Sequence, residues 1–513
     1  MTANASMAAV PDRENLPSQR LLARNFSLNL IGQLIPAVAA LVAAPILVRG
    51  LGVDRFGLLT IAWVVIGYVG LVDLGLGRAL TQAVAERLGK RADREIPSVI
   101  WSCLLILGIL GVLGTVLVAA AAPYLTFHVL KVPAPLRIET LNTFYLLACS
   151  IPFVIGTAAL RGVLEAHQEF GLATAVRVPM GVFTYFGPMV ALAFSKSLFA
   201  IVGVLVVGRI VAWFVHWLLC LRVVPSLVRR WRVDWTAIGS LFRFGAWMTV
   251  SNVIGPLMST LDRFVIGSVI SVASVAYYAT PQQVLIQLLG IPAALVGVLF
   301  PAFASSVKAT GGATAKLYSR GLKVTFLLLF PIALVLITFA RQGLQVWLGD
   351  EFARHSTRVL QWLSVGLLFN GLAQVPFALI QGTGRPDVTA KLHLIEAGFY
   401  FPALWWLTAR YGIEGTAMAW VLRAGVDLLS LYALAWGLHA AGRGDLYRIS
   451  IAMAAALSAL AVGPILGESM VEVVYFTSSM AVLGVVSWLL LLTREERRSI
   501  GTLLGRRFHR GEP

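Results

Sequence analysis

The chain alternates long apolar runs with short polar turns. A helix needs about 20 mostly apolar residues to span a bilayer. Runs close to that length lie at 26–48, 58–80, 99–122, 141–162, 172–194, 197–219, 244–268, 276–304, 320–342, 359–381, 391–409, 413–438, 449–467 and 473–493. The pattern predicts an all-α integral membrane protein with about 14 transmembrane helices. Because that number is even, both termini are expected on the same side.

Composition supports a membrane protein and limits its chemistry. Hydrophobic residues make up 58% of the chain and charged residues only 13%, which is too little charge to solvate a soluble domain of this size. The first 25 residues lack the apolar core of a cleavable signal peptide. The three cysteines lie inside apolar runs, which argues against a disulfide framework. We therefore expect no metal centre and no cofactor.

The basic residues are distributed unevenly between the two predicted sides. The net charge is +17, which in a soluble protein would suggest nucleic acid. Here, segments on the side of the N-terminus hold 29 Lys and Arg residues, and segments on the other side hold 9. Cytoplasmic loops carry such an excess. We expect a bacterial inner-membrane protein with both termini in the cytoplasm, membrane lipids as neighbours and no nucleic-acid partner.

The predicted loops are short, and the longest inner links follow the second and sixth helices. The link at 222–240 is the best boundary between two bundles. The predicted organisation is a cytoplasmic N-tail (1–25), an N-terminal bundle of six helices (26–221), a cytoplasmic linker (222–240), a C-terminal bundle of six helices (241–438), two further helices (449–493) and a basic cytoplasmic tail (494–513). No loop has room for a soluble catalytic domain, so we do not expect an enzyme.

Charged residues within the first bundle are candidates for a transport path, because ionisable groups at membrane depth usually face the bundle interior. Asp73 and Arg78 in "GLVDLGLGRAL" lie about 140° apart around a helix and are poor partners. Arg78 can reach the inner surface, whereas Asp73 needs a partner from another helix. Arg209, near the middle of the sixth predicted helix, either pairs with such an acid or faces a cavity for an anion.

Four more polar positions in this half complete the candidate path. Arg161 has Glu165 four residues away, a spacing that favours a local surface pair. Arg177 near the start of the fifth helix could snorkel or point inward. Asn29 and Gln33 form a polar stripe on the first helix, suited to hydrogen bonds between helices.

The second bundle carries a separate set of charge-pair or coupling candidates. Asp262 and Arg263 are adjacent and are therefore expected on different faces of their helix. Arg423 and Asp427 are spaced to neutralise each other on one face.

His393 and Glu396 share a face near the inner end of the eleventh predicted helix. A proton relay and a solvated helix end are both compatible with this position. The chain lacks HExxH, paired-cysteine and GxSxG motifs. The sequence therefore contains none of these motifs of hydrolases and metal sites.

Five stretches in succession resemble a known family. They are "NFSLNLIGQLIPAVAALVAAPILVRGLGVDRFGLLTIA", "GLVDLGLGRALTQAVAE", "LDRFVIGSVISVASVAYYATPQQV", "LFPAFASSV" and "WLGDEFARHSTRVLQWLSVG". Their order and spacing resemble the polysaccharide-exporter (Wzx-type) branch of the multidrug/oligosaccharidyl-lipid/polysaccharide (MOP) flippase superfamily. The resemblance covers nearly the whole chain and implies two six-helix bundles around a central cavity, plus two C-terminal helices.

The resemblance also implies a function. It implies alternating access that moves an undecaprenyl-diphosphate-linked oligosaccharide to the outer leaflet for O-antigen, capsule or exopolysaccharide synthesis. Polymerase and chain-length regulator proteins would be partners. The four arginines of the first bundle would neutralise the diphosphate. The acids Asp73, Asp262 and Asp427 would pair with arginines or bind a coupling ion, H⁺ or Na⁺.

Three alternatives remain at this stage. The first is a cation-coupled drug or metabolite antiporter of the same superfamily, whose cavity should be dominated by acids. The second is a lipid II flippase, which the sequence discriminates poorly. The third is a membrane glycosyltransferase or polysaccharide polymerase, which the short loops disfavour.

Overall fold

The computed structural model describes most of the chain. The described residues are 19–69, 76–229, 231–234, 257–258, 260–306, 313–438 and 469–486, together with 447, 451 and 488. Within them the regular structure is helical. The helices are α1 (Gln19–Leu51), α2 (Val53–Val69), α3 (Leu76–Gly89), α4 (Ile96–Tyr124), α5 (Arg137–Ala166), α6 (Phe170–Leu192), α7 (Leu198–Val223), α8 (Ser226–Arg229), α9 (260–269), α10 (Val272–Leu288), α11 (Gly290–Ser306), α12 (Ala313–Thr338), α13 (Ala340–Leu348), α14 (Asp350–Gly382), α15 (Pro386–Leu438) and α16 (Ser469–Val486).

The length of these helices identifies a multi-pass membrane protein. Eight helices in the described part are long and apolar enough to cross a membrane. One of them, α15, contains 53 residues, or about 80 Å at 1.5 Å per residue, and the hydrocarbon core of a bilayer is about 30 Å thick. The helix breaks at Gly412, whose φ is 64°. It therefore forms two antiparallel arms, which correspond to the predicted runs 391–409 and 413–438.

Two predicted runs differ from the helices observed. The run predicted at 276–304 is divided into α10 and α11 by a turn at Leu289. The run predicted to begin at 359 instead begins at Asp350, directly after Gly349 with its φ of 95°. Asp350 and Glu351 occupy the first turn of α14, where acidic side chains complement the helix dipole. The residues "GDEF" at 349–352 therefore mark the start of α14.

The helices pack as two groups with an interface between them. In the first group, α5 packs against α3, α4 and α7, and α6 packs against α1 and α7. In the second, α14 packs against α11, α12, α13 and α15, and α16 packs against α12. Helix α10 connects the groups, because it packs against both α2 and α14. The bounds of the two predicted bundles and the cytoplasmic linker stay predictions.

The buried apolar residues follow the same division. One core, which includes Val163, lies within the first group, and another, which includes Phe326, lies within the second. A third core joins Leu59 of α2, Tyr278 of α10 and Leu363 of α14. The contact between the two groups is therefore a packed, apolar interface.

The two ends of the helices are named here by their turns. The Gly52 face carries the turns at Gly52, 130–136, 193–197 and Gly349. At this face Glu139 accepts hydrogen bonds from the Arg55 side chain and from the backbone N–H of Leu198. The Lys90 face, at the opposite end, carries the turns at 90–95, 167–169 and 383–385.

Candidate functional site

A cavity lies between the two groups of helices. It has a volume of about 230 Å³, and its walls come mainly from α1, α2 and α10. Most of the lining is apolar, and its polar members are Thr60, Tyr185, Arg263, Thr280, Gln283 and Gln287. Small-molecule sites usually have volumes of roughly 300–1,000 Å³. The volume of this cavity therefore lies below that range.

A hydrogen-bonded set of four side chains lies beside this cavity. The Arg263 network consists of Asp262 and Arg263 on α9 and of Tyr278 and Gln282 on α10. Asp262 is 0% exposed and Arg263 is 4% exposed. The Tyr278 hydroxyl donates to Asp262 Oδ2 over 2.8 Å, and Gln282 Nε2 donates to the same oxygen over 2.6 Å. The acid is thus held by two neutral donors.

Gln282 also holds the arginine. Arg263 Nε and Arg263 Nη2 both donate to Gln282 Oε1 over 3.1 Å. The backbone N–H of Arg263 donates to Asp262 Oδ1 over 2.8 Å. A buried charge is tolerated only when hydrogen bonds replace its lost hydration. The Gln282 amide supplies these bonds to both ions at once.

Arg263 also connects the two groups of helices. Its Nη1 donates to the backbone carbonyl of Thr60 on α2 over 3.3 Å. Nearby, Gln283 Nε2 donates to the Tyr185 hydroxyl on α6 over 3.0 Å. The guanidinium is therefore bound by carbonyl oxygens and lines the cavity, where its positive charge can attract an anion.

Contacts between the groups continue towards the Gly52 face. The backbone N–H of Lys131 donates to the carbonyl of Gly267 over 2.9 Å, and Trp347 Nε1 donates to the carbonyl of Leu41 over 2.9 Å. A Cβ atom on Gly57 of α2 would overlap the carbonyl of Val272 at the start of α10. Such close approach seals the interface, so the described state is closed at the Gly52 face.

The structure separates the predicted path residues of the first half. Arg161 and Glu165 form an ion pair with N···O 3.4 Å between partly exposed side chains, as their spacing predicts. Arg78 and Arg177 are exposed on α3 and α6. Asp73 lies outside the described residues. Asn29 and Gln33 lie on α1, but their side chains also lie outside the described part.

Arg209 lies on α7 within the first group. Its side chain is half-buried, and the described residues contain no ion-pair partner for it. The predicted partner Asp73 lies outside the described residues. Its pairing with Asp73 and its role in binding an anion therefore stay predictions.

Asp262 and Arg263 are adjacent on α9, and their expected placement on different faces of the helix stays a prediction. The Gln282 side chain nevertheless forms hydrogen bonds with both of them. Sequence reasoning missed Gln282 and Tyr278 as site residues. A signal was available, because the two polar side chains lie four residues apart in "AYYATPQQV" and therefore share one face of a helix.

A second buried set joins the two arms of α15. The Glu396 cluster consists of His393, Glu396 and Tyr400 on the first arm and Arg423 and Asp427 on the second. Glu396 is 5% exposed and Asp427 is 6% exposed. The expected solvated helix end was therefore wrong, because the second arm covers the face that holds Glu396.

Partners within the Glu396 cluster also differ from the expected ones. Asp427 Oδ1 lies 3.5 Å from His393 Nε2. The described part contains no ion pair between Arg423 and Asp427. Instead, the guanidinium carbon of Arg423 lies 5.8 Å from the centre of the Tyr400 ring, within the range of a cation–π contact. The spacing of four residues permitted a pair that the aromatic ring replaces.

Comparison with known proteins places this architecture in a family. The family model described as "Polysaccharide biosynthesis protein" matches residues 46–357. The Shigella flexneri protein named "Putative O-antigen transporter" is 29% identical over 417 residues, which is 80% of this chain and 96% of that protein.

Two solved structures share the fold at low identity. The lipid II flippase MurJ, in an inward closed conformation, has a TM-score of 0.68 at 14% identity and covers 91% of this chain and 99% of its own. A multidrug resistance MATE family transporter of the MOP superfamily, in an inward-facing conformation, has a TM-score of 0.67 at 17% identity and covers 80% of this chain and 98% of its own. The fold is therefore that of a MATE-like transporter. Since its family model spans more than half of the sequence, the chain belongs to the polysaccharide biosynthesis protein family.

Proposed function

We propose that this protein is a flippase that moves undecaprenyl-diphosphate-linked oligosaccharide repeat units across the inner membrane by alternating access. Its product would serve O-antigen, capsule or exopolysaccharide synthesis. The observation that carries the proposal is Arg263, a buried arginine that lines the cavity between the two groups. Family membership and the S. flexneri relative support the same class of cargo. The protein acts as a transporter and not as an enzyme.

The orientation of the chain gives this mechanism a direction. The excess of Lys and Arg on the N-terminal side supports cytoplasmic termini. The Lys90 face would then be cytoplasmic and the Gly52 face would face outward. The described state, closed at the Gly52 face, would be ready to receive cargo from the inside. Polymerase and chain-length regulator proteins would act on the released unit.

Different charged and polar residues would contact the cargo at successive points between the Lys90 face and the cavity. Arg78, Arg161, Arg177 and Arg209 would attract the diphosphate from the Lys90 face, and Arg263 would bind it in the cavity. Phosphate oxygens can replace the carbonyl oxygens that now bind the Arg263 guanidinium, because charge-assisted hydrogen bonds are the stronger kind. Asn29 and Gln33 would contact the sugar. The lipid tail would stay in the bilayer throughout.

A coupling ion, H⁺ or Na⁺, would reset the transporter. The acids available for it are Asp73, Asp262, Glu396 and Asp427. Asp262 shares Gln282 with Arg263, so a change at the acid alters the hydrogen bonds of the arginine. This shared amide would link ion binding to release of the cargo.

Cation-coupled drug export is the second candidate function, supported by the shared fold of the MATE transporter. A cavity for cationic drugs should contain acids. Among the described residues, the lining of this cavity includes Arg263 and no acidic side chain. This balance favours an anionic cargo. Lipid II also carries a diphosphate, so cargo assays must separate it from other lipid-linked oligosaccharides.

Deletion of the gene in its own host tests the proposal. Lipid-linked repeat units should accumulate in the inner leaflet, and surface polysaccharide should be lost and then restored by the wild-type gene. Cell death with accumulated lipid II would instead indicate the lipid II flippase. Unchanged polysaccharide together with increased sensitivity to cationic drugs would indicate the antiporter.

A further inference from the structure

The Glu396 cluster contains three side chains that can bind a metal ion together. His393 and Glu396 lie three residues apart on one arm of α15, and Asp427 approaches them from the other arm. Their ligand atoms all lie within 4.8 Å of one another. An imidazole nitrogen with two carboxylate oxygens is a donor set used for Zn²⁺ and related divalent transition metals.

The Glu396 carboxyl group is buried and receives no hydrogen bond from a described residue. Glu396 is 95% buried, since only 5% of it is exposed. No described group donates a hydrogen bond to either of its oxygens. Its carboxyl group faces that of Asp427, whose Oδ1 lies 3.5 Å from His393 Nε2. Buried carboxylates without partners are costly. A bound cation would supply the missing interactions to both acids.

The nearest arginine, Arg423, does not pair with either carboxylate. The Arg423 guanidinium is held over the Tyr400 ring, and its Nε also has no hydrogen-bond partner among the described residues. It forms no ion pair with Glu396 or Asp427 in the described part. Arg423 therefore reduces the negative charge of the cluster from a distance and does not fill the space between the carboxylates.

The imidazole is already oriented for binding. The His393 ring stacks on the Phe377 ring, with centres 5.6 Å apart and planes 8° apart, and its Nε2 points to Asp427. Bonds of about 2.0–2.2 Å place two ligands of a tetrahedral Zn²⁺ roughly 3.3–3.5 Å apart. Small side-chain rotations would contract the present cluster to that size.

We propose that His393, Glu396 and Asp427 form a binding site for a divalent transition-metal ion of the Zn²⁺ class. The bound ion joins the two arms of α15 across the Gly412 break. A spacing motif that covers all three ligands is missing from the sequence, because the break separates Asp427 from His393 and Glu396. The inference holds for any cargo, and it assigns Glu396 and Asp427 to a transition-metal ion in place of the H⁺ or Na⁺ of the coupling step.

Calorimetric titration of the purified, metal-stripped protein with Zn²⁺ tests the site without a transport assay. One ion should bind per chain, and His393→Ala, Glu396→Gln and Asp427→Asn should each weaken binding by at least about tenfold. Asp387→Asn is the matched control, because it removes an exposed acid from the same helix. It should bind Zn²⁺ as the wild type does.

A second variant guards against loss of folding. Glu396→His keeps a metal ligand at the position, so it should retain Zn²⁺ binding where Glu396→Gln does not. The absorption spectrum of bound Co²⁺ should change in each ligand variant. If the wild type released or absorbed no heat of binding on titration with Zn²⁺, the proposal would be overturned. That result would indicate that protons alone neutralise the acids. Equal binding by the wild type and all three ligand variants would also overturn it.

Discussion

The Arg263 network and the Glu396 cluster place similar groups in opposite situations. Both are buried, and both contain an arginine and at least one carboxylate. In the Arg263 network, the Gln282 amide donates to the acid and accepts from the arginine. In the Glu396 cluster, no described group donates to either oxygen of the central acid. The buried acid of the Arg263 network therefore receives hydrogen bonds, whereas the buried acid of the Glu396 cluster receives none from a described residue.

The difference indicates different roles. A satisfied network in a contact between two groups of helices stabilises one arrangement of those groups. An unsatisfied cluster within one pair of helix arms has capacity for a ligand. We infer that the Arg263 network stabilises the state closed at the Gly52 face, and that the Glu396 cluster binds an ion.

The largest expected effect comes from Arg263→Ala, which breaks the satisfied network. The substitution removes the cavity cation and leaves Asp262 buried without its charged neighbour. We expect export to be lost and the free energy of unfolding to fall by about 3–5 kcal/mol. Surface polysaccharide in the complemented deletion strain measures export, and thermal unfolding of the purified protein measures stability.

Arg358→Ala serves as the control for that substitution, because Arg358 is exposed on α14. It should leave export and stability unchanged. Arg263→Lys separates the two effects of the alanine variant, because it keeps the charge and loses the planar fork of donors. Normal export by Arg263→Ala would contradict the assignment of Arg263 to the cargo path.

An intermediate effect is expected from Gly57→Ala, which acts on the closed state without changing any charge. The added methyl group would overlap the Val272 carbonyl, so α2 and α10 could no longer pack closely at the Gly52 face. Export should fall several-fold, and an engineered cysteine on the cavity wall should react faster with a membrane-impermeant thiol reagent from outside. Gly67→Ala on the same helix meets no atom within 4 Å and should behave as the wild type. Equal labelling rates in both variants would refute the closed state.

The sequence predicted the fold more completely than the site. Runs of apolar residues predict spanning helices because the bilayer imposes their length and composition. The Arg263 network depends on how α9, α10 and α2 pack, and no local sequence pattern determines that packing. The i, i+4 rule found the Arg161–Glu165 pair, which is local. The same rule failed for Arg423 and Asp427, because Tyr400 and His393 from the other arm offered competing partners.

The smallest effect should come from Glu396→Gln, and its contrast with Asp262→Asn sharpens the comparison. Asp262→Asn places an amide among the donors from Tyr278 and Gln282, which should lower the free energy of unfolding by about 1–3 kcal/mol. Glu396→Gln removes a buried charge that receives no hydrogen bond from a described residue and should not lower stability in metal-free protein. Thermal unfolding of both variants in one buffer with a chelator provides the measurement. A larger loss in Glu396→Gln than in Asp262→Asn would reverse the comparison.

Reconstitution into vesicles tests the central claim most directly. Purified protein would be incorporated with an undecaprenyl-diphosphate-linked oligosaccharide, and the fraction of sugar accessible to an external glycan-binding probe would be followed over time. The account predicts rapid transfer between leaflets with the wild type and little with Arg263→Ala. Transfer no faster than in protein-free vesicles, under either an H⁺ or a Na⁺ gradient, would contradict the flippase function.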